Sequence, residues 1–301
     1  MKTHTELVVR RHLLQTLGLG FLSGFGMLDV THAESTFRNR IVCVGCGITE
    51  IVCALGFESS LVGVDTTSRY PLSVHRLPSV GYARHLSLEG ILALAPRQVV
   101  VGQDAGPQAV LSRLREAGIR VTTVDEGQSI EGLISRVKQI GQLLNCEDQS
   151  SAFAANLELE WSTLEHVVPT PREKIRVMFV LGQTPSQFMV AGARTGADAM
   201  LRYAGLENAF ADLRGYRSIT PEGIITAQPD LIVFTQPNAI ATKVTYSDGK
   251  FINQIKGLSE TPAARPERWL VFDTMYLLGF GPRMPDAVLT LRRASMEAMR
   301  A

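Results

Sequence analysis

The chain has 301 residues, of which 45% are hydrophobic and 20% charged, so it can form one large globular domain or two modest ones. Its formal net charge of +1 provides no field that would gather nucleic acid or an acidic membrane, and no nucleic-acid partner is expected. The body of the chain has no run of about 18 or more apolar residues, which excludes a membrane-spanning helix there.

The N-terminal segment has the features of an export signal in the expected order. A mostly apolar, glycine-interrupted stretch follows the basic residues Lys2, Arg10 and Arg11 and leads to the small residue Ala33. We therefore expect residues 1–33 to be a signal peptide, cleaved near Ala33, and the mature protein to be periplasmic. An N-terminal membrane anchor or a buried helix is the alternative interpretation. General secretory export and twin-arginine export are both compatible with this segment.

From residue 40 onward, short apolar segments alternate with helical segments. Bounded apolar runs predict buried strands, and capping residues at the start with Gly or Pro at the end predict helices. Regular alternation of the two is typical of an α/β fold with mostly parallel sheets. In the first half we expect strands at 40–45, 60–64, 98–101 and 120–124, and helices at 49–55, 86–94, 108–116 and 129–144.

A second long helix, without internal glycine or proline, follows the polar segment 146–151 and is predicted at 152–168. The alternation then restarts, so we expect two small α/β lobes joined by one helix, with a ligand cleft between the lobes. The expected boundaries are a first lobe at 34–147, an interlobe helix at 148–170 and a second lobe at 171–301. In the second lobe we expect strands at 176–181, 231–235 and 269–272, and helices at 197–203, 221–227 and 285–300.

One stretch of the first lobe has a counterpart in the second. Segment 81–101 is similar to segment 215–234, and the corresponding residues Glu89 and Glu222 lie 133 positions apart. That spacing exceeds the roughly 20 to 50 residues of a solenoid repeat, so it indicates two similar lobes. Each glutamate occurs early in a predicted helix, where the helix dipole favours a carboxylate. The pair either complements the two dipoles only, or also presents two separated carboxylates to one partner surface.

Tyr70 lies in a polar loop after the second predicted strand. Ligand sites in open α/β units lie at the carboxyl ends of strands, so this loop is expected to border the cleft. Arg69 precedes the tyrosine and Arg84 lies in a neighbouring loop, and a nearby cation favours the phenolate form of a tyrosine. A phenolate is a known axial ligand of ferric haem. A surface or packing tyrosine is the alternative interpretation.

The four cysteines are Cys43, Cys46, Cys53 and Cys146. Cys43 and Cys46 have the spacing of a redox or metal pair, but no second pair with zinc-like spacing follows. Because they lie in an apolar strand pattern, burial as small hydrophobic residues is one interpretation. A disulfide is the other in an exported protein, and the pair that would form is left open.

Five stretches together resemble the periplasmic haem-binding proteins of bacterial haem ABC importers. These proteins belong to a wider group that binds siderophores and cobalamin and has a rigid helix between its lobes. The resemblance to the haem-binding branch, rather than to the wider group, depends mainly on two motifs. They are Val-Gly-Val-Asp-Thr-Thr-Ser-x-Tyr-Pro and Leu-Leu-Gly-Phe-Gly-Pro-Arg. The five stretches are 40–56, 61–71, 81–90, 189–200 and 276–283.

This resemblance implies that the protein binds ferric haem between its lobes as transported cargo and has no catalytic residues. Tyr70 would ligate the haem iron, and Arg69, Arg84 and Arg217 would bind the haem propionates or stabilise the phenolate. Some members add a histidine from the second lobe, but the corresponding loop here, which ends at Met189, contains none. We therefore expect Tyr70 alone, or Tyr70 with water or Met189 as the second axial ligand.

The resemblance also implies partners. Glu89 and Glu222 would dock onto arginines of the membrane permease, which works with its ATPase at the inner membrane. An outer-membrane haem receptor system could act upstream. Two alternatives stay open at this point. The same scaffold could bind a ferric siderophore or cobalamin, or the chain could be an exported thiol redox enzyme that uses Cys43 and Cys46.

Overall fold

The structure is a computed structural model, and it describes residues 39–125, 127–167, 174–181, 189–237 and 255–300. The proposed signal peptide and the whole loop between Leu181 and Met189 lie outside these residues. Among the described helices, none combines the length and hydropathy of a membrane span.

The first lobe is a parallel sheet covered by helices on both faces. Its strands are β1 (Ile41–Val44), β2 (Leu61–Val64), β5 (Gln98–Gly102) and β6 (Arg120–Val124), with a small hairpin of β3 (Gly81–Tyr82) and β4 (His85–Leu86) beside them. Its helices are α1 (Cys46–Ala54), α2 (Leu88–Ala93), α3 (Gln108–Glu116) and α4 (Ile130–Leu144). The sheet order is β2-β1-β5-β6, and every pairing is parallel, as the alternating pattern predicts.

The second lobe has a mixed sheet. Its strands are β7 (Arg176–Leu181), β8 (Met189–Ala191), β9 (Glu207–Asn208), β10 (Tyr216–Arg217), β11 (Leu231–Gln236) and β12 (Trp269–Asp273). Its helices are α6 (Gly196–Tyr203), α7 (Pro221–Ala227), α8 (Thr274–Leu278) and α9 (Met284–Arg300). The order is β10-β8-β7-β11-β12, with β9 also paired to β7. The central β7, β11 and β12 are parallel, whereas β8 and β10 add an antiparallel edge.

One long helix, α5 (Glu147–Val167), connects the lobes. It begins five residues earlier than predicted, because the polar segment 146–151 forms its first turns rather than a break. Asn145 adopts a left-handed conformation with φ of 54° and ends α4 there. The two helices then cross closely, since a β-carbon on Gly141 would lie 1.9 Å from the Ser150 hydroxyl.

The largest buried cluster runs through both lobes without a break. It includes Ile41 and Leu133 of the first lobe, Leu157 of α5, and Phe179 and Leu270 of the second lobe. A shared core of this kind ties the lobes together. It restricts motion between the lobes, as does the helical connection.

Candidate functional site

Tyr70 stands on the loop that follows β2, at the carboxyl end of the first sheet. A buried carboxylate, Asp65, shapes this loop. Its oxygens accept hydrogen bonds from the amides of Gly45 (2.9 Å) and Thr67 (3.0 Å) and from the Ser68 hydroxyl (2.6 Å). The Asp-Thr-Thr-Ser part of the motif is thus a hydrogen-bonded turn. It leaves Tyr70 45% exposed at the cleft.

The turn also explains why α1 begins three residues before its predicted start. Gly45 has a φ of 118°, which glycine adopts without steric cost. Because Asp65 holds the Gly45 amide, the chain passes directly from β1 into α1. The first turn of α1, which contains Cys46 and Gly47, is thereby placed beside the Tyr70 loop and opposite the second lobe.

An arginine from the second lobe lies over the Tyr70 ring. The guanidinium carbon of Arg283 is 4.0 Å from the ring centroid. The same guanidinium donates two hydrogen bonds to the Glu50 carboxylate, from Nη2 at 2.6 Å and from Nε at 3.0 Å. Glu50 belongs to α1 and is buried, so Arg283 reaches across the cleft to two groups of the first lobe.

The surroundings of Arg283 keep its guanidinium positively charged. Burial by itself would lower the pKa of this guanidinium, but the hydrogen bond and the charge of Glu50 raise it above its usual value. The side chains of Arg283 and Glu50 are 17% and 4% exposed, so solvent screens this pair little. The site thus places a fixed positive charge on the face of an exposed phenol ring.

A second arginine fastens the lobes beside this pair. Arg136 of α4 is 1% exposed. Its three nitrogens donate to the carbonyls of Asp125 (2.7 Å), Phe280 (2.9 Å) and Gly127 (3.0 Å). Phe280 belongs to the second lobe, and the other two carbonyls belong to the first. Arg136 thus bridges backbone groups of both lobes.

Glycines allow the two lobes to approach closely at this point. A β-carbon on Gly47 would lie 2.6 Å from the carbonyl oxygen of Gly279. A β-carbon on Gly281 would lie 3.0 Å from a carboxylate oxygen of Glu50 and 3.2 Å from the Gly47 α-carbon. The contact between the start of α1 and segment 279–283 is called the lobe joint below. Its glycines explain why the Gly-Phe-Gly-Pro-Arg motif has that composition.

Arg84 lies on the first-lobe side of the same cleft. Its guanidinium donates to the Tyr82 hydroxyl at 3.2 Å and to the Asp104 carboxylate at 2.7 Å. These residues and second-lobe groups that include Phe280 line a cavity of about 170 Å³. That is below the roughly 300 Å³ of a typical small-molecule pocket. A larger ligand would therefore extend beyond this cavity into the open cleft.

The two other predicted arginines occupy different places. Arg69 is half-buried next to Tyr70, and its Nε donates to the Thr66 carbonyl at 3.3 Å. Arg217 is exposed on β10, the edge strand of the second lobe, opposite Val190 of β8. The structure therefore puts Arg69 and Arg84 on first-lobe loops and Arg217 on the second lobe.

Large apolar side chains are exposed at the strand ends that border the cleft. Leu72 follows Tyr70 and is 76% exposed, and Tyr82 of β3 is 42% exposed. Met189 is 40% exposed and pairs with Leu181 at the carboxyl end of β7. Each of these three side chains is therefore accessible to a ligand from solvent.

A larger groove, of about 560 Å³, lies elsewhere, between α4 and α5. Its walls include Ile134, Lys138 and Trp161. These side chains come from the outer helices and from none of the loops at the strand ends. The candidate site is therefore assigned to the cleft, where the charged and aromatic groups converge, rather than to this larger groove.

The cysteines do not form a redox pair in the structure. None of the four cysteines, all of which lie in the described part of the chain, forms a disulfide. Burial raises the pKa of Cys43 far above its usual value and the pKa of Cys53 to about 12. The thiolate is the reactive form, so these groups are unreactive near neutral pH. In the part of the chain that the structure describes, no three His, Cys, Asp or Glu residues are grouped to hold a metal ion.

Comparison with known proteins identifies the family. The family model described as "Periplasmic binding protein" matches residues 41–273. The chain belongs to this family. Such binding proteins are not enzymes, so the thiol enzyme alternative is wrong. The chain is an extracytoplasmic protein and the substrate-binding component of an ABC importer, with a permease and an ATPase as partners.

Three similar proteins are informative, and two of them are named for their ligands. The solved apo structure of the periplasmic heme-binding protein RhuT from Roseiflexus sp. RS-1 has 32% identity and a TM-score of 0.80, and the match covers 87% of this chain and 99% of that one. The uncharacterized ABC transporter substrate-binding lipoprotein YvrC of Bacillus subtilis is 26% identical (86% and 82% covered). A vitamin B12-binding protein of Vibrio parahaemolyticus is 24% identical (83% and 86% covered). These matches and the family leave haem, cobalamin and siderophores as possible cargo.

In this binding protein the two repeat copies are also alike in structure. Ser87 caps α2 and Thr220 caps α7, and each hydroxyl accepts the amide of the glycine three positions on, at 3.0 and 3.2 Å. Glu89 and Glu222 therefore occupy the same position in the first turns of equivalent helices. Both are exposed. Hydrogen bonds from its own backbone and from Thr220 lower the pKa of Glu222, which keeps it anionic.

Sequence reasoning missed Arg283, Glu50 and Arg136 as site residues. Glu50 and Arg283 lie 233 positions apart, and only the fold brings them together. The available signal was that the Leu-Leu-Gly-Phe-Gly-Pro-Arg motif ends at Arg283, and a motif that ends in an arginine invites a search for its anionic or aromatic partner.

Proposed function

We propose that this protein binds ferric haem in the interlobe cleft, with Tyr70 as the iron ligand, and delivers it to the permease. The observation that carries this proposal is the exposed phenol with the Arg283 guanidinium 4.0 Å from its ring centroid. A cation at that distance stabilises the negative phenolate, and phenolates ligate ferric haem. On binding, an oxygen–iron bond forms and the phenol proton leaves to solvent. The 32% identity to a heme-binding protein supports the same cargo.

The exposed apolar side chains supply a surface for the porphyrin. Leu72, Tyr82 and Met189 are large, apolar and open to solvent at the cleft. Covering them with a flat macrocycle removes apolar area from water, which is worth roughly 25 cal/mol per Å². Met189 also carries a thioether at the start of β8, so it or a water molecule is the proposed sixth ligand of the iron.

The cleft arginines are proposed to hold the propionates. Arg84 lines the cavity of about 170 Å³, and its pair with Asp104 is exposed, at 59% and 70%. An exposed pair of this kind is worth about 0–1 kcal/mol, so a propionate can share or replace the Asp104 contact. Arg69 lies next to Tyr70, and Arg217 lies on the opposite lobe. Both are weaker candidates for the same role.

Glu89 and Glu222 are proposed to dock the protein onto the permease. Each is exposed in the first turn of a helix, and each belongs to a different lobe. Two equivalent carboxylates suit a partner that presents two equivalent basic patches. Docking through both lobes at once would place the open cleft over the permease entrance.

Cobalamin is the second candidate cargo, because of the similarity to a vitamin B12-binding protein. A corrinoid is also a macrocycle, but it carries polar amide side chains and its metal already has its axial ligands, so it makes no use of Tyr70. Competitive titration of the protein with hemin and cyanocobalamin decides between the two. Displacement of hemin by an equal concentration of cobalamin would contradict the haem proposal.

The direct test is hemin titration of the purified protein followed by absorption spectroscopy. The wild type is expected to develop a Soret band and a phenolate-to-iron charge-transfer band. Tyr70→Phe is expected to lose the charge-transfer band and most of the affinity. Tyr203→Phe serves as the matched control, because Tyr203 packs against Trp161 on the outer helices. An unchanged spectrum in Tyr70→Phe would overturn the assignment of Tyr70.

A further inference from the structure

The side chain that stabilises the proposed iron ligand comes from the opposite lobe. Tyr70 and Glu50 belong to the first lobe, whereas Arg283 lies just before α9 of the second. The guanidinium is nevertheless within 4.0 Å of the Tyr70 centroid and forms a two-point hydrogen bond with Glu50. Tyr70 therefore has this positive charge beside it only while the two lobes are in contact.

Arg283 is held firmly in that position. Its carboxylate partner is 4% exposed, and the two parallel hydrogen bonds fix the plane of the guanidinium. The ring of Tyr276 lies 5.3 Å from the guanidinium carbon, and the Tyr276 hydroxyl donates to Asp286 at 2.5 Å. Arg283 is thus a preorganised group rather than a mobile surface cation.

The position of Arg283 depends on the lobe joint. The backbone of segment 279–283 contacts the start of α1 so closely that a β-carbon on Gly47 would meet the Gly279 oxygen at 2.6 Å. Arg136 holds the Phe280 carbonyl of the same segment at 2.9 Å. Because the contact is this tight, a small separation of the lobes moves the guanidinium away from Tyr70.

We propose that Arg283 is a positioning residue for the bond between Tyr70 and iron, and that the strength of this bond depends on closure of the lobe joint. The inference rests on the proposed function, in which Tyr70 ligates ferric haem. It adds a release mechanism to that function. A permease that binds Glu89 and Glu222 and draws the lobes apart would remove the cation from the phenolate and weaken its hold on the cargo.

The first test removes the cation without leaving a buried charge behind. In the double variant Arg283→Met with Glu50→Gln, hemin dissociation into excess apomyoglobin is expected to accelerate about tenfold, equivalent to about 1.4 kcal/mol. The charge-transfer band is expected to move to longer wavelength, because the phenolate electrons are held less tightly without the cation. Arg283→Lys, which keeps a charge, is expected to restore most of the band position. Arg113→Met, on the exposed face of α3, is the matched control.

The second test opens the joint while every charged group stays in place. Gly47→Ala inserts a methyl group against the Gly279 oxygen and is expected to accelerate hemin dissociation several-fold. Gly106→Ala is the matched control, because its β-carbon would meet only the Gln108 amide nitrogen, at 3.5 Å. Thermal unfolding of each variant shows whether it is folded, and Glu50→Gln alone provides a milder variant if the others unfold.

The outcomes separate the two proposals. If hemin does not bind, or binds Tyr70→Phe unchanged, the proposed function and this inference both fail. If Tyr70 is required but the double variant keeps the wild-type dissociation rate and band, Arg283 is only a structural residue and the inference fails alone. If folded Gly47→Ala keeps the wild-type rate, the dependence on the joint is overturned.

Discussion

Two arginine–carboxylate pairs border the cleft, with nearly equal distances and very different surroundings. Arg283 and Glu50 are 2.6 Å apart, with side chains 17% and 4% exposed. Arg84 and Asp104 are 2.7 Å apart, with side chains 59% and 70% exposed. Solvent screens the second pair and not the first. The buried pair can therefore hold the lobes and a fixed cation, whereas the exposed pair can exchange its partner for a ligand carboxylate.

The largest effect on stability is expected when one member of the buried pair is removed. Arg283→Met leaves the Glu50 carboxylate buried without its partner, which is expected to lower the free energy of unfolding by about 3–5 kcal/mol. Urea denaturation of the protein without cargo measures this loss. A loss below about 1 kcal/mol would mean that solvent reaches Glu50 and that the pair resembles Arg84 with Asp104.

A smaller effect is expected when the joint is strained with its charges intact. Gly47→Ala places a β-carbon 2.6 Å from the Gly279 oxygen, and overpacking of this kind costs about 1–3 kcal/mol. The same denaturation experiment, with Gly106→Ala as reference, measures it. Equal stability of the two variants would contradict a tight joint.

The exposed pair is expected to affect cargo more than stability. Arg84→Met should change the free energy of unfolding by less than about 1 kcal/mol and weaken hemin binding by at most about fivefold. Hemin titration at low and high salt checks this, because a propionate contact with an exposed arginine weakens as salt rises. Salt-independent loss of affinity would indicate that Arg84 acts through packing.

The smallest effect on the isolated protein is expected at the docking positions. Glu89→Lys and Glu222→Lys should leave stability within about 0.5 kcal/mol of the wild type and hemin binding unchanged, because both side chains are exposed. Stimulation of ATP hydrolysis by the reconstituted permease and ATPase should be lost in the double variant. Full stimulation would exclude these carboxylates as docking contacts.

Most of the fold could be predicted because its main elements carry local patterns. The helix at 108–116 and the strand at 176–181 have the predicted bounds, and Ser129, predicted as the first residue of its helix, is the N-cap of α4. Strands β3, β4, β8, β9 and β10 were not predicted, because two or three residues are too few to show a period. The start of α5 was wrong, because a polar segment can form a first helical turn as well as a loop.

The residues of the candidate site also divide into those with a local sequence signal and those without one. Tyr70 and the two glutamates could be selected from the sequence, because a loop after a strand and a repeated segment are both visible there. Glu50 and Arg283 have no local pattern that joins them, and their contact arises from the close approach of two glycine-rich segments of different lobes. Residues that act across the joint therefore required the tertiary structure.

The central claim is that a phenolate from Tyr70 ligates the haem iron, and resonance Raman spectroscopy of the hemin-loaded protein tests it most directly. Excitation in the charge-transfer band is expected to enhance phenolate ring modes in the wild type. These modes should shift when the protein is labelled with ring-deuterated tyrosine and should vanish in Tyr70→Phe. Absence of phenolate modes from the wild type, or their persistence in Tyr70→Phe, would contradict the account.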